Sequence, residues 1–239
     1  MTAPVAPSTE KAGVIEDFVD IFISPAAVYE RRRDTSAWLP LIVVTVVLAL
    51  AYLSTMGAMQ PIMDAEYERG VKAMLESDSR FTREQMDQGR AFGEAIAKFM
   101  FVAGAPLAIF FCGLGLMLTS KLVDAKLALG TGVMIAAWAF VPRILGAVAT
   151  AIQLQLMRPE SLHGMYSISV GPARFMDPNT VSPMLVAIAG RFDLFILWTT
   201  ALLGIGCSVV GRVSRFNGML AAMAVWVLGT FLALYGAIR

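Results

Sequence analysis

Charged residues are scarce in this chain of 239 residues, where they make up 15% of the sequence. Soluble domains carry about 25%. Hydrophobic residues make up 57%, and the formal net charge is only +1. A chain with so little charge and no basic excess lacks the cationic surface on which nucleic-acid binding depends. The composition instead predicts contact with lipid.

Residues that support catalysis or metal binding are also few. His163 is the only histidine, and Glu160 is the only other potential ligand close to it in the sequence. Cys112 and Cys207 lie in separate apolar runs, where we expect small core residues rather than a disulfide. The sequence has no HExxH, no GxSxG and no glycine-rich phosphate loop followed by lysine. It therefore predicts no enzyme activity, no metal site and no cofactor.

Long apolar runs are what the chain has in abundance. About 20 apolar residues in a helix cross a hydrocarbon core of about 30 Å. Backbone groups in lipid need internal hydrogen bonds, so each run should be helical. Residues 1–37 lack the pattern of a cleavable signal, so we expect the first run to stay in the membrane. The sequence predicts an all-α polytopic bundle, residues 38–239, with five spans at about 38–59, 99–120, 127–153, 192–211 and 219–238.

Basic residues in the short connections predict the orientation of the bundle. The positive-inside rule assigns the side that carries them to the cytoplasm, with the amino terminus inside and the carboxyl terminus outside. The two long connections on the other side also carry Lys and Arg, balanced there by acids. Three consecutive arginines before the first span are expected to anchor the chain at the membrane surface. The basic residues of the cytoplasmic side are Arg31, Arg32, Arg33, Lys121, Lys126, Arg212 and Arg215.

Residues 1–37 are predicted to form a cytoplasmic arm with two amphipathic helices. Ser24 before Pro25 is typical of an N-cap followed by a first-turn proline, so a second short helix should follow the first. We expect both helices to lie against the membrane face or the bundle. The apolar stripe of the first helix is Val14, Ile15, Phe18, Val19 and Phe22, with Glu16, Asp17 and Asp20 elsewhere on the helical wheel.

On the opposite, outer side the sequence predicts a helical hairpin. Residues 61–76 have a helical composition, and TREQ at 82–85 matches a capping box. No proline interrupts the helix that starts there before the second span, so this helix should project beyond the membrane. Phe92 and Ile96 are expected to pack against the 61–76 helix. The second outer connection, 155–190, is rich in Gly, Pro and Ser and should be irregular.

Arg143 is the most unusual polar residue of the spans. An arginine in an apolar span costs several kcal/mol unless it faces the bundle, water or a carboxylate. It follows Pro142, which permits a kink. We expect Arg143 to pair with Asp193 near the outer end of the fourth span, or with Gln153 or Gln155. Two interpretations stay open: a contact that only stabilises the bundle, or a functional polar cavity or anion site.

Three segments occur in order along the chain: DFVDIFISPAAVYERRR, AWAFVPRILG and FDLFILWTTALLGIG. Their order and spacing, over nearly the whole chain, resemble the Yip-one (Yip1) domain family of Ypt/Rab-interacting membrane proteins. The resemblance implies a five-helix membrane domain with a cytoplasmic amino terminus. Eukaryotic members act in vesicle traffic, bind prenylated Rab GTPases and form complexes with one another. The arm here is shorter than theirs, so the chain looks like a bacterial member in the inner membrane. The resemblance implies no catalytic residues.

Two functions remain at this point. The first is a non-enzymatic scaffold or accessory factor for membrane proteins or lipids, with other membrane proteins, or further copies of the chain, as partners. The alternative is a transport component, either a small permease or an accessory subunit of an export complex, with Arg143 on a polar pathway. No inverted repeat is evident and five spans do not divide evenly, which weakens the independent carrier.

Overall fold

The computed structural model describes residues 13–77, 80, 82–158 and 161–238, and these residues form ten α-helices and no strand. Glu160, considered above as a metal ligand, lies outside them. Short 3-10 turns connect some of the helices at Lys121–Val123, Met165–Ile168 and Pro172–Phe175. The helices are α1 (Val14–Ile23), α2 (Pro25–Arg32), α3 (Trp38–Thr55), α4 (Gln60–Ser77), α5 (Arg83–Ser120), α6 (Leu129–Ala139), α7 (Arg143–Leu156), α8 (Pro183–Gly190), α9 (Leu194–Gly211) and α10 (Arg215–Ile238).

Among the described residues, five stretches are long and apolar enough to cross a membrane. The predicted all-α fold with five spans is therefore confirmed. The third span consists of two helices, α6 and α7, and the second is only part of α5. The stretches are Trp38–Thr55, Val102–Val123, Leu129–Leu156, Leu194–Gly211 and Arg215–Ala237.

The alternating direction of the spans gives the molecule two sides. The arm side carries the arm (residues 13–37) and the connections 121–128 and 212–214. The far side carries α4, the start of α5 and the connection 157–193. The arm contacts the arm-side end of α9, because Arg33 Nη2 donates to the Val209 carbonyl at 3.2 Å. Tyr29 Oη donates to the Ile135 carbonyl in α6 at 3.4 Å.

The third span breaks at Phe140–Pro142. Proline has no backbone N–H, so the regular ladder cannot continue through it. Shorter hydrogen bonds replace the ladder, from Arg143 N to the Phe140 carbonyl and from Ile144 N to the Val141 carbonyl, both at 3.0 Å. Pro142 becomes the N-cap of α7, and Arg143 becomes its first residue. The proline kink that the sequence suggested is thus a full interruption of the helix.

The arm is part of the hydrophobic core rather than a layer on its surface. Ile21, Val28 and Tyr29 are fully buried. The Phe18 ring lies 4.9 Å from the ring of Trp138, centroid to centroid. Asp17, which the helical wheel places away from the apolar stripe, is nevertheless 0% exposed, because the arm folds over it. The exposed apolar residues of α1 are Ile15, Val19 and Ile23.

The far hairpin consists of α4 and residues 83–101 of α5. The predicted capping box is confirmed: Gln85 N donates to Thr82 Oγ1 at 3.3 Å, and Thr82 N donates to Gln85 Oε1 at 3.0 Å. The expected packing of Phe92 and Ile96 against α4 is wrong, because these side chains are 72% and 47% exposed. Ion pairs join the two helices instead, for example between Arg90 and Asp64, and they turn a different face of α5 toward α4.

Glycines allow close helix packing in the half of the bundle next to the arm. A Cβ at Gly113 in α5 would lie 2.6 Å from Val133 Cα in α6. A Cβ at Gly218 in α10 would lie 2.8 Å from the backbone nitrogen of Ser208 in α9. Neither gap holds a methyl group, so backbone packs directly on backbone at both crossings, as is common between membrane helices.

Candidate functional site

Arg143 lies at the break of the third span, where α7 begins. Its Nε atom is buried and has no hydrogen-bond partner among the described residues. The guanidinium carbon lies 4.8 Å from the centroid of the Phe140 ring, which gives the cation a π-face but no hydrogen-bond acceptor. Arg143 lines two cavities, one on each side of the broken span. It is the residue that these two cavities share.

The first cavity, called here the Asp193 cavity, has a volume of about 370 Å³. It lies between α3, α7 and the connection 165–170. Polar groups from several elements line it, including Thr55, Thr150, Ser169, Asp193 and Arg143. The buried Ser169 hydroxyl has no hydrogen-bond partner among the described residues. The cavity is therefore partly polar, with an unpartnered hydroxyl and one charge of each sign among otherwise apolar walls.

Asp193 is the N-cap of α9. Its Oδ1 accepts a hydrogen bond from Phe195 N at 2.9 Å, and its Oδ2 accepts one from Val170 N at 2.7 Å. The carboxylate thus satisfies backbone donors of the helix start and of the far-side connection. Arg143 and Asp193 line the same cavity, but no ion pair joins them in the described structure. Their pairing stays a prediction.

Gln153 and Gln155 lie on α7, beyond the residues that line the two cavities. They follow Arg143 by ten and twelve residues, which is about 15 and 18 Å along a helix. The Gln153 Oε1 atom is buried and has no hydrogen-bond partner among the described residues, whereas Gln155 is exposed. The structure does not bring either amide to Arg143.

The second cavity, called here the Arg191 cavity, has a volume of about 980 Å³. It lies between α5, α9 and α10, and its lining is largely apolar. Arg143 and Arg191 are its charged residues, and no acid occurs among the described residues that line it. Exposed apolar side chains form its rim, so it opens sideways toward the hydrocarbon of the membrane. The rim residues are Phe111, Leu118, Leu228, Phe231 and Leu232.

Arg191 follows α8 and is held against α10. Its Nε donates to Thr230 Oγ1 at 3.2 Å, and its Nη2 donates to the Trp226 carbonyl at 3.4 Å. The indole Nε1 of Trp226 donates back to the Arg191 carbonyl at 3.2 Å. Sequence reasoning did not single out this residue, although an arginine directly before an apolar span is a usable signal. Its position beside Arg143 depends on how α8 packs against α10.

The arginines of the arm have quite different surroundings. Asp17 Oδ1 accepts from Arg31 Nε at 2.9 Å, and Asp17 Oδ2 accepts from Arg32 Nε at 2.5 Å. Arg31 also pairs with Asp20. These hydrogen bonds, above all the one to Asp17, raise the pKa of Arg31. Arg33 binds Glu30 and α9. The predicted anchor residues thus hold the arm together, and their contact with lipid stays a prediction.

Metal ligands do not cluster among the described residues, where no group of three or more His, Cys, Asp or Glu side chains could hold an ion. The carbonyl of His163, the only histidine, accepts a hydrogen bond from Arg69. Five apolar spans, a broken third span and an arginine between two cavities define a polytopic helical membrane protein. Arg143, the arginine between the two cavities, lies inside the bundle.

The Yip1 domain model matches residues 19–236. The match covers nearly the whole chain, and the chain belongs to the Yip1 domain family. It includes the second half of α1, the whole of α2 and the spans as far as residue 236, so much of the folded arm is part of the domain. No curated protein and no solved structure matches the chain.

Proposed function

We propose that the protein is a non-enzymatic accessory factor that binds another membrane protein through its far hairpin. The observation that carries this proposal is the exposed apolar face of α5 beyond the bilayer. α5 has 38 residues, which is about 57 Å of helix. A hydrocarbon core takes about 30 Å of that length. The helix therefore extends well past the membrane.

The projecting part of α5 has two different faces. The face toward α4 carries Arg90, whose ion pair with Asp64 joins α5 to α4 and whose ion pair with Glu94 lies within α5. The other face carries Phe92, Ile96 and Phe99, which are 72%, 47% and 68% exposed. A row of large apolar side chains at helical spacing is typical of a helix that packs against a partner. The ion pairs fix the direction in which this row faces.

The proposed location is the bacterial inner membrane, with the arm in the cytoplasm and the far hairpin outside. The short basic connections of the arm side support this orientation. Reporter fusions test it: a fluorescent protein that folds only in the cytoplasm should be bright when fused before the arm and dark when fused after residue 239. The reverse pattern would place the far hairpin in the cytoplasm.

Photocrosslinking in native membranes tests the accessory function. A photoreactive amino acid at position 92 should capture a specific membrane protein, and one at the exposed arm-side position 126 should not capture it. Phe92→Ser should abolish co-purification of that protein, because it removes the most exposed side chain of the row. Glu84→Ser, two turns away on the same helix, should preserve it. Equal recovery with both variants would contradict the proposal.

A transport component is the second candidate, and the position of Arg143 favours it. Arg143 lines a polar cavity on one side of the broken span and an apolar cavity on the other. An arginine in this position is suited to pass an anion or an amphiphile between the two cavities. Uptake into vesicles that contain only this chain distinguishes the candidates. Arg143→Leu should abolish uptake by a transporter and leave capture at position 92 intact.

A further inference from the structure

The Arg191 cavity carries two positive charges that no acidic residue neutralises. Neither Arg143 nor Arg191 forms an ion pair with a described acidic residue, whereas six other arginines (Arg31, Arg32, Arg33, Arg69, Arg83 and Arg90) do so. An arginine side chain has five N–H donors. The contacts above engage two nitrogens of Arg191 and none of Arg143. The cavity therefore contains two positive charges without an acidic partner and several N–H donors without an acceptor.

The depth of these charges makes them costly when the cavity is empty. α10 has 24 residues and begins at the arm side. Thr230, which binds Arg191, lies fifteen residues after its start, about 22 Å along a helix of about 36 Å. Arg191 is thus held beside the second half of α10, at the far end of the spans, and Arg143 lies within the third span, where an unneutralised arginine is unfavourable. An anion at this position would neutralise the charge and accept the free donors.

The rest of the cavity limits what kind of anion fits. Its volume of about 980 Å³ lies at the upper end of the roughly 300–1,000 Å³ typical of small-molecule sites. Its walls are almost entirely apolar, and its rim of exposed apolar side chains opens toward lipid tails. A small free anion would leave most of this volume unfilled. An occupant with one anionic head and a long apolar chain matches both parts.

We propose that the Arg191 cavity binds one anionic phospholipid of the surrounding membrane. The phosphate lies between Arg143 and Arg191, and an acyl chain lies along the apolar wall formed by α5 and α10. The lipid enters sideways from the membrane, through the rim. This site is separate from the far hairpin, since different residues form the two surfaces, so the inference does not rest on the proposed partner binding.

Native mass spectrometry of the full-length chain in mild detergent tests the inference. The probes are phosphatidylglycerol and phosphatidylcholine with the same acyl chains, so that they differ only in the head group, which is anionic in the first and without net charge in the second. We expect one molecule of phosphatidylglycerol to bind at least about tenfold more tightly than phosphatidylcholine, the ratio that a single charge-assisted hydrogen bond supplies. Equal affinity for the two lipids would overturn the proposal.

Two variants assign the binding to this cavity. Arg143→Gln and Arg191→Gln should each weaken phosphatidylglycerol binding about tenfold. Arg215→Gln removes the same charge from the exposed arm side and should change it less than about threefold. Arg191→Lys keeps the charge and should retain an intermediate affinity. Losses of equal size in all the variants would show that lipid binds only by non-specific attraction, and would overturn the assignment.

A thermal-shift measurement on the same proteins guards against variants that merely unfold. Without lipid, Arg143→Gln should melt no lower than the natural chain, because it removes an unneutralised charge whose Nε has no hydrogen-bond partner. Phosphatidylglycerol should raise the melting temperature of the natural chain and not that of the double variant Arg143→Gln/Arg191→Gln. Equal stabilisation by inorganic phosphate would overturn the lipid assignment. The lipid assignment would also be overturned if the mass spectrum showed a lipid-free dimer and the same variants dissociated that dimer.

Discussion

The half of the molecule next to the arm, called here the closed half, is held together by close helix crossings and paired charges, and its cavity, of about 520 Å³, lies between α2, α9 and α10. The far half, called here the open half, holds the two cavities that flank Arg143. On the arm side, helices cross at glycine-to-backbone contacts, the arm fills the core, and Arg31 and Arg32 share a carboxylate. On the far side, the third span is broken, two cavities flank Arg143, and Phe92 faces outward. The same residue type thus stabilises one half and leaves unused charge in the other. The role of an arginine in this protein therefore depends on whether an acidic residue neutralises its charge.

The largest expected effect comes from breaking the closed half at Asp17. Asp17→Asn leaves Arg31 and Arg32, which are partly buried, without their shared carboxylate. Removal of one partner of a buried ion pair costs about 3–5 kcal/mol, so the free energy of unfolding in detergent should fall by about 3 kcal/mol. Thermal unfolding of a fluorescent fusion measures it. Asp34→Asn, an exposed acid next to the same arginines, is the control and should leave the melting temperature unchanged.

A second way to open the closed half is to enlarge a glycine at the crossing of α5 and α6. A Cβ at Gly132 would overlap the carbonyl of Gly113, which is backbone and cannot move aside alone. Gly132→Ala should therefore destabilise the bundle by about 1–3 kcal/mol. Gly130→Ala, two residues earlier on the same helix, meets no atom within 4 Å. It should be neutral or slightly stabilising, and equal losses in both would contradict close packing at this crossing.

One arginine substitution in each half tests the contrast between the two halves directly. Arg32→Leu should destabilise the protein, because it leaves Asp17 under-paired in the core. Arg143→Leu should have the opposite sign and raise stability by about 1 kcal/mol in detergent without anionic lipid, since it removes an unneutralised charge from the spans. Denaturation of the two variants side by side measures the difference. Destabilisation by Arg143→Leu would mean that Arg143 has a partner in the folded state.

The smallest expected effect is at the ion pairs of the far hairpin. Arg90 pairs with Asp64 and Glu94, but all three side chains are well exposed. Surface ion pairs contribute little and are screened by salt. Arg90→Ala should shift the melting temperature only slightly, and the shift should vanish at high salt. A large, salt-independent loss would show that the far hairpin is as closed as the arm side.

The sequence predicted what depends on length, pattern and local chemistry. The five spans follow from apolar runs, the start of α5 from its capping box, and the kink of the third span from Pro142. The partner of a buried charge does not follow from such patterns. Asp17 meets Arg31 and Arg32 because two short helices fold back on each other, and the helical wheel of α1 alone only separates Asp17 from the apolar stripe.

The far side shows the same limit. Arg191 joins Arg143 only because α8 packs beside α10, which brings together residues 48 positions apart in the sequence. The hydrophobic character of Phe92 suggested burial, and the orientation of α5 is instead determined by its ion pairs with α4. The identity of a side chain shows what kind of surroundings it needs. Tertiary packing determines which residues it contacts.

Quenching of tryptophan fluorescence by brominated lipid tests the contrast between the two halves most directly. Chains that keep only Trp138, which is 1% exposed in the core beneath the arm, or only Trp226, which lines the Arg191 cavity, are compared in bilayers. The account predicts strong quenching of Trp226 and little quenching of Trp138. Equal quenching of the two would contradict it, because the arm-side half would then be as open to lipid as the far half.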